Sequence, residues 1–402
     1  MAEPRHAIGV THAGSLPRTD QLMAANGVRE FAADGLTLLR TPAFDSLLSH
    51  AVTDVVARQI DTGVSIVGDG EFGKASADST DFGPWWSYSF QRFAGLAVRP
   101  VNAWNKPELE SRPGEVRLTS FRERRDRKAF PQFYAELNTG PIARNAPSVV
   151  GRLTYVGHDQ VAVDIANLRS ALTASAASEG FLTSIAPGVA ARLVNDYYAS
   201  EEEHLWAWAE ALREEYVAII DAGLVLQIDD PSMAENWDAI TPEPSVGDYL
   251  AYTRQRVDAL NWALRDLPAE RIRFHLCWGS WHGPHTTDLE FRHIVKLMLE
   301  VNAGAYSFEA GNARHEHEWR IWDEVRLPDD KTILPGVVSH ATNVVEHPDL
   351  IAERLLRFAD LVGAERVAAS TDCGLGGRIH PEIAWAKLGA LVTGAARASG
   401  SR

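Results

Sequence analysis

What most constrains this chain is a rhythm in its second half. Short apolar runs alternate there with helical stretches, and the runs recur at about thirty to forty residues. The runs are Val225–Asp229, Arg271–Leu276, Tyr306–Glu309, Ile333–His340 and Arg366–Cys373. Between and after them, residues 246–266, 289–303, 348–361 and 381–398 carry apolar residues at helical spacing. The first half continues the pattern less regularly. Runs at His6–Thr11, Val64–Glu71 and Phe181–Gly188 read as strands, and residues 44–59, 160–174 and 195–221 read as helices. A strand, a helix and a second strand imply parallel pairing. Eight such strands, most followed by a helix, predict a (β/α)8 TIM barrel. A doubly wound open sheet is the alternative. No Gly-x-Gly-x-x-Gly follows any strand, so a dinucleotide fold has little support.

Residues 72–146 break the rhythm. They are rich in aromatics (Phe82, Trp85, Trp86, Tyr88, Phe90, Phe93 and Trp104) and lack helical period. A structureless loop of that length is foreign to a compact domain. The segment is therefore expected to be an insertion after the second strand, with hairpins of its own, inside a single catalytic domain spanning 1–402. Ser148–Tyr155 reads as one of its strands. The aromatics are expected to form a small core of the insertion or to roof a pocket. The charge run Arg122–Lys128 is expected to be a solvated face, with anion docking as the alternative.

Composition narrows the partners. The net charge of -15 argues against nucleic acid, which needs a basic surface. Two cysteines cannot build a disulfide framework, so a reducing cytoplasm is the expectation. Met1-Ala-Glu-Pro-Arg-His lacks the basic and apolar segments of a signal peptide, and no apolar run approaches membrane-spanning length.

The chemistry gathers at strand ends. His275 and Cys277 stand two apart on one strand and so share a face. An imidazole and a thiol on one face suit a borderline metal such as zinc. The only other cysteine, Cys373, ends a similar run, and Glu309 ends a third. These four are expected to converge on one zinc ion, although a lone cysteine is commonly just a small buried hydrophobe. In a barrel, catalytic groups sit at the C-terminal ends of the strands. Ser15, Glu71, Asp229 and His340 fall at such ends as well.

These residues resemble those of the cobalamin-independent methionine synthase family, specifically its C-terminal catalytic barrel. The shorter related proteins include archaeal-type methionine synthases and epoxyalkane:coenzyme M transferase. The resemblance covers nearly the whole chain, least well over 72–146. It implies that His275, Cys277, Glu309 and Cys373 (in Asp372-Cys-Gly-Leu) bind zinc. Glu71 (in Gly-Glu) and Asp229 (in Ile-Asp-Asp-Pro) then hold the amino group of homocysteine. Ser15, in the Gly-Ser turn, holds its carboxylate, and His340 donates a proton to the leaving group. Ser339-His340-Ala-Thr-Asn departs from the methionine-synthase pattern, and the N-terminal half of the long enzymes is missing. Both departures leave the methyl donor open.

The implied reaction is zinc-dependent alkyl transfer to a small-molecule thiol, with methyl transfer to homocysteine as its most concrete form. Opening of an epoxide by a thiol such as coenzyme M is the runner-up. Zinc hydrolysis and a purely structural zinc barrel rank lower. A homo-oligomer or an accessory protein that delivers the methyl group stays open. The histidines at Trp281-His-Gly-Pro-His285 and Arg314-His-Glu-His317 are expected to be loop residues or supports for the ligands. His12 is expected beside the site but not as a ligand.

Overall fold

In a computed structural model, residues 7–75, 89–99, 110–119, 124–137, 146–175, 177 and 179–400 are described. The strands in chain order are β1 (Gly9–Val10), β2 (Val67–Gly68), β3 (Phe93–Arg99), β4 (Ala146–Tyr155), β5 (Gly180–Ile185) and β6 (Val194–Asn195). They continue with β7 (Val225–Asp229), β8 (Ile272–Leu276), β9 (Ala305–Glu309), β10 (Thr332–Val338) and β11 (Ala368–Thr371). Eight of them form one sheet in the order β1-β11-β10-β9-β8-β7-β5-β2. Every pairing in it is parallel.

Parallel neighbours need crossovers, and helices supply most of them. Pro42–Thr62 joins β1 to β2, and Glu201–Asp221 lies between β5 and β7. Val246–Ala263, Phe291–Met298 and Pro348–Val362 carry the chain into β8, β9 and β11, and Pro381–Ala398 follows β11. The β9-to-β10 crossover is a 3-10 stretch, Glu316–Asp323. All residues of β5, β7 and β8 are buried, as expected of parallel strands covered on both faces.

The sheet is curled, consistent with a TIM-like barrel. In a flat sheet β8 would stand four spacings from β1, roughly 19 Å away. Instead Arg273 of β8 reaches across the interior. Its Nη1 donates to Thr11 Oγ1 at 2.9 Å and its Nη2 to the His12 carbonyl at 2.7 Å. The end strands also meet: the Ser65 and Ile66 N–H groups donate to the Val10 carbonyl at 2.9 and 3.2 Å.

Element boundaries differ from expectation for local reasons. The helix expected from 195 begins at Glu201, because Asn195 Oδ1 accepts from the Tyr197 and Tyr198 N–H groups and forms a turn. Ser200 then caps the helix, accepting from Glu203 N at 3.0 Å, and three glutamates fill the first turn. The expected 181–188 strand stops at Ile185 because Pro187 opens a short helix, Pro187–Ala190. A helix at Asp20–Gly27, capped by Thr19, escaped the periodicity reading.

A second sheet is formed by β3 and β4, which lie between β2 and β5 in the chain, and by β6, which follows β5; β3 pairs antiparallel and β6 parallel with β4. Phe90 and Phe93 pack on Trp208 of the Glu201–Asp221 helix, with ring centroids 6.0 and 4.8 Å away. These two aromatics therefore join the main core and not a separate one. Phe82, Trp85, Trp86, Tyr88 and Trp104 lie outside the described residues, as do Arg122 and Glu123. Beyond those two, the charge run is not a solvated face throughout. Arg124 and Asp126 are buried, and the Asp126 carboxylate accepts from Tyr134 OH and from the His285 and Thr286 N–H groups. Arg92 anchors the same segment, with Nη2 2.5 Å from Asp164 and Nη1 2.7 Å from Glu215. Among the described residues, no helix is long and apolar enough to cross a membrane.

Candidate functional site

The C-terminal ends of the curled sheet open onto a cavity of about 310 Å³. Ser15, Glu71, Asp229, His275, Cys277 and Cys373 all line it. Strand register explains the meeting. Asp229 on β7 pairs with His275 on β8, so the two side chains sit at one level.

A ring nitrogen of His275 and the sulfurs of Cys277 and Cys373 lie within 4.8 Å of one another. His275 Nδ1 is 3.0 Å from Ser307 Oγ, which fixes the ring. Its Nε2 is buried and, among the described residues, meets no hydrogen-bond partner. An orphaned buried imidazole nitrogen beside two thiols is the donor set that zinc suits. The contact between the two sulfurs pushes the Cys277 thiol up and holds Cys373 well below the usual thiol range.

Glu309 stands outside this trio. Its Oε1 accepts from Trp278 N at 2.9 Å and its Oε2 from Asn312 Nδ2 at 2.6 Å. Burial pushes its carboxyl up to about 7. It is near enough to act electrostatically on both His275 and Cys277.

Glu71 has φ 60, a left-handed backbone rare for a residue with a Cβ. Its carboxylate packs against the turn after β1. A Cβ on Gly14, where φ is 130, would lie 2.5 Å from Glu71 Oε1, so only glycine fits there. Glu71 accepts from Thr183 Oγ1 at 3.1 Å and lies 3.2 Å from Lys74 Nζ. Asp229 accepts from Gln227 Nε2 at 2.6 Å. Burial raises Asp229 to about 7, with the Glu71 charge adding to the rise and His275 opposing it. Ser15 Oγ donates to the Gly376 carbonyl at 3.2 Å and abuts Gly374, which tightens the turn against the Cys373 loop.

His340 is buried and is not among the lining residues. Its Nδ1 lies 2.8 Å from Asp372 Oδ1, which also accepts its backbone N–H at 2.7 Å. Burial opposes its charge, but Asp372 outweighs burial and holds it at about 9. His12 is also buried, with Nε2 2.8 Å from Gln59 Oε1. Burial and Arg273 lower it to about 3, so it is neutral and plays no part in the trio.

Residues 143–397 match the family described as cobalamin-independent synthase, catalytic domain. The chain belongs to this family. Its 2-hydroxypropyl-CoM lyase relative from Xanthobacter autotrophicus is 26% identical over 227 residues, 49% of this chain and 55% of that protein. A methionine synthase from Thermococcus kodakarensis is 24% identical over 201 residues, 50% of this chain and 51% of that protein. The chain thus spans about half the length of these curated relatives. A B12-independent methionine synthase structure from Shewanella shares the fold, with a TM-score of 0.66, 18% identity and 97% of each chain covered.

Against this family background, the sequence reading missed several cavity residues. Arg124, Arg127, Arg192, Trp281 and Arg378 all line the cavity. Arg124 and Arg127 lie in the charge run Arg122–Lys128, Trp281 opens the histidine motif 281–285, and Arg378 follows Cys373 on the same loop, but nothing in the spacing of Arg192 marks it.

Proposed function

We propose that the chain is a zinc-dependent alkyltransferase acting on a thiol, in its most concrete form methyl transfer to homocysteine from 5-methyltetrahydrofolate or another methyl donor. The carrying observation is the His275, Cys277 and Cys373 trio opening into the cavity that Ser15, Glu71 and Asp229 also line. In this reading residues 1–402 form one closed (β/α)8 barrel in the cytoplasm, with the 72–146 segment covering its catalytic end.

Zinc held by His275, Cys277 and Cys373, with Glu309 as the ligand that yields, would supply a substrate thiolate at neutral pH. The chain's own groups do the rest. Asp229 and Glu71 receive the ammonium of homocysteine, and the Ser15 turn receives its carboxylate. His340, held protonated at neutral pH by Asp372, provides the proton for the leaving nitrogen. Ser307 keeps the Nε2 of His275 free for the metal.

A second reading keeps the thiol and replaces the methyl donor with an epoxide. The lyase among the relatives, which is named for a thioether of coenzyme M, supports it. One assay tests both readings: zinc-loaded protein with homocysteine and 5-methyltetrahydrofolate, and separately with coenzyme M and epoxypropane. Methionine in the first mixture is the expected product. A thioether only in the second would select epoxide opening, and neither product would overturn the proposal for these substrates.

A further inference from the structure

Beneath the cavity lies a polar layer where a barrel interior is ordinarily filled by branched apolar side chains. Strand register builds it. Thr183 on β5 pairs with Gln227 on β7, and Gln227 pairs with Arg273 on β8. All three are buried, and they do not line the cavity themselves. Gln227 stands two residues before Asp229, and Arg273 two before His275, so each shares a strand face with a cavity residue above it.

The direction of every hydrogen bond in this layer is fixed by chemistry. A guanidinium only donates. Arg273 Nε lies 2.6 Å from Gln227 Oε1, so the oxygen of that amide faces Arg273. The Gln227 amide nitrogen is thereby turned the other way, and Nε2 donates to Asp229 Oδ1 at 2.6 Å and to the Ala13 carbonyl at 3.1 Å. Arg273 is itself held across the interior by Thr11 and the His12 carbonyl.

The same logic recurs one strand away. The Lys74 ammonium also only donates, and it donates to Thr183 Oγ1. The single hydroxyl proton of Thr183 then goes to Glu71 Oε1, 3.1 Å away. Lys74 Nζ stands 3.2 Å from that same oxygen. Both chains thus start at a cation, pass through a neutral side chain and end on one oxygen of a carboxylate that lines the cavity. Among the described residues, no hydrogen bond is made to the other oxygens, Glu71 Oε2 and Asp229 Oδ2.

We propose that Thr183 and Gln227, backed by Lys74 and Arg273, are positioning residues for the ammonium group of the thiol substrate. Each pins one oxygen of its carboxylate from below and leaves the second oxygen to the cavity. A carboxylate aimed in advance loses less freedom when it meets its ligand, so the layer raises affinity without touching the substrate. The inference rests on the reading in which Glu71 and Asp229 receive that ammonium.

The test uses the full-length zinc-loaded protein with homocysteine and 4-mercaptobutanoate, which differ only in the amino group. Calorimetry gives the affinity of each, and zinc X-ray absorption reports whether its sulfur joins the metal. The variants are Gln227→Met, Thr183→Val and Thr183→Ser, with folding checked by thermal melting. The two donors lie on different strands, so either folded variant decides. Wild type should prefer homocysteine. Gln227→Met and Thr183→Val should each cut that preference about tenfold by weakening homocysteine alone, and Thr183→Ser, which keeps the hydroxyl, should retain it. Equal weakening of both thiols would mean that the layer serves the fold, and would overturn the positioning role. An undiminished preference in folded variants would overturn it too, while leaving the ammonium reading intact. A wild type that binds both thiols alike, or neither, would remove the ammonium reading and the positioning role together.

Discussion

The two walls of the cavity are made in different ways. The wall carrying Asp229, His275, Cys277 and Cys373 is built at the ends of β7, β8 and β11: register pairs Asp229 with His275, and Cys277 and Cys373 stand one and two residues past β8 and β11. The opposite wall, with Arg124, Arg127 and Arg192, rests on the segment after β2 and the loop after β5. It is held by side-chain ionic contacts: Arg92 to Asp164 and Glu215, and Arg124 and Arg192 to Glu235. The first wall draws precision from a shared backbone lattice. The second depends on a few buried charges, so a single substitution can release it.

The contrast predicts opposite phenotypes. Cys277→Ser and Cys373→Ser should abolish tight zinc binding, by far more than the roughly 10–100-fold that outer supports of a metal are worth. Their melting temperatures without metal should stay near wild type, because each sulfur atom is exchanged for an oxygen of similar shape. Zinc analysis after dialysis and thermal melts check both halves. A large loss of apo stability would mean that the trio serves the fold.

Arg92→Leu should do the reverse. It strands Asp164 and Glu215 in the interior, and breaking a buried pair costs about 3–5 kcal/mol. Urea unfolding should show that loss, while the zinc stoichiometry of the surviving folded fraction is unchanged. Loss of zinc from folded Arg92→Leu protein would erase the distinction between the walls.

Ser307→Ala probes the first wall more gently. Removing the hydroxyl 3.0 Å from His275 Nδ1 should weaken zinc binding by about tenfold, read by chelator competition, with little change in stability.

The smallest effect comes from a buried ionic cluster beside the loop after β8. His315 stacks on Trp278 at 3.9 Å, and its ring nitrogens lie 2.7 Å from Glu318 and 3.2 Å from Asp288. Burial opposes its charge, but Asp288 and Glu318 hold it at about 9. The stabilisation is complete below about 6.5, the ordinary histidine value, and is lost as the pH rises through about 9. Wild-type stability should therefore fall by on the order of 1 kcal/mol between pH 7 and 9.5. His315→Gln should reduce that fall in urea titrations and leave the share that His340, held at about 9 by Asp372, contributes over the same range.

The two walls were also unequally legible. The strands β7 to β11 alternate with helical segments, and their polar ends carry the chemistry, so period alone located Asp229, His275, Cys277 and Cys373. Glu309 was found at its strand end, but its engagement by Trp278 N and Asn312 could not be read from spacing. The arginine wall left a weaker trace, a charge run at 122–128 that admits anion docking but reads first as a solvated face. Arg124 and Asp126 sit in a run of alternating charge that looks like any solvated helix. Only tertiary contacts with Glu235, Tyr134 and the loop at His285 bury them. Lys74 follows Glu71 closely in sequence, yet nothing in the sequence reveals that it turns back to meet that carboxylate.

The most direct test of the account is zinc K-edge X-ray absorption on protein purified under reducing, metal-replete conditions, alone and with homocysteine. The account predicts one zinc per chain with two sulfur neighbours from Cys277 and Cys373, light-atom ligands beside them, and a third sulfur when homocysteine is added. Protein that takes up no zinc, or zinc whose sulfur shell survives in Cys277→Ser and Cys373→Ser, would contradict it.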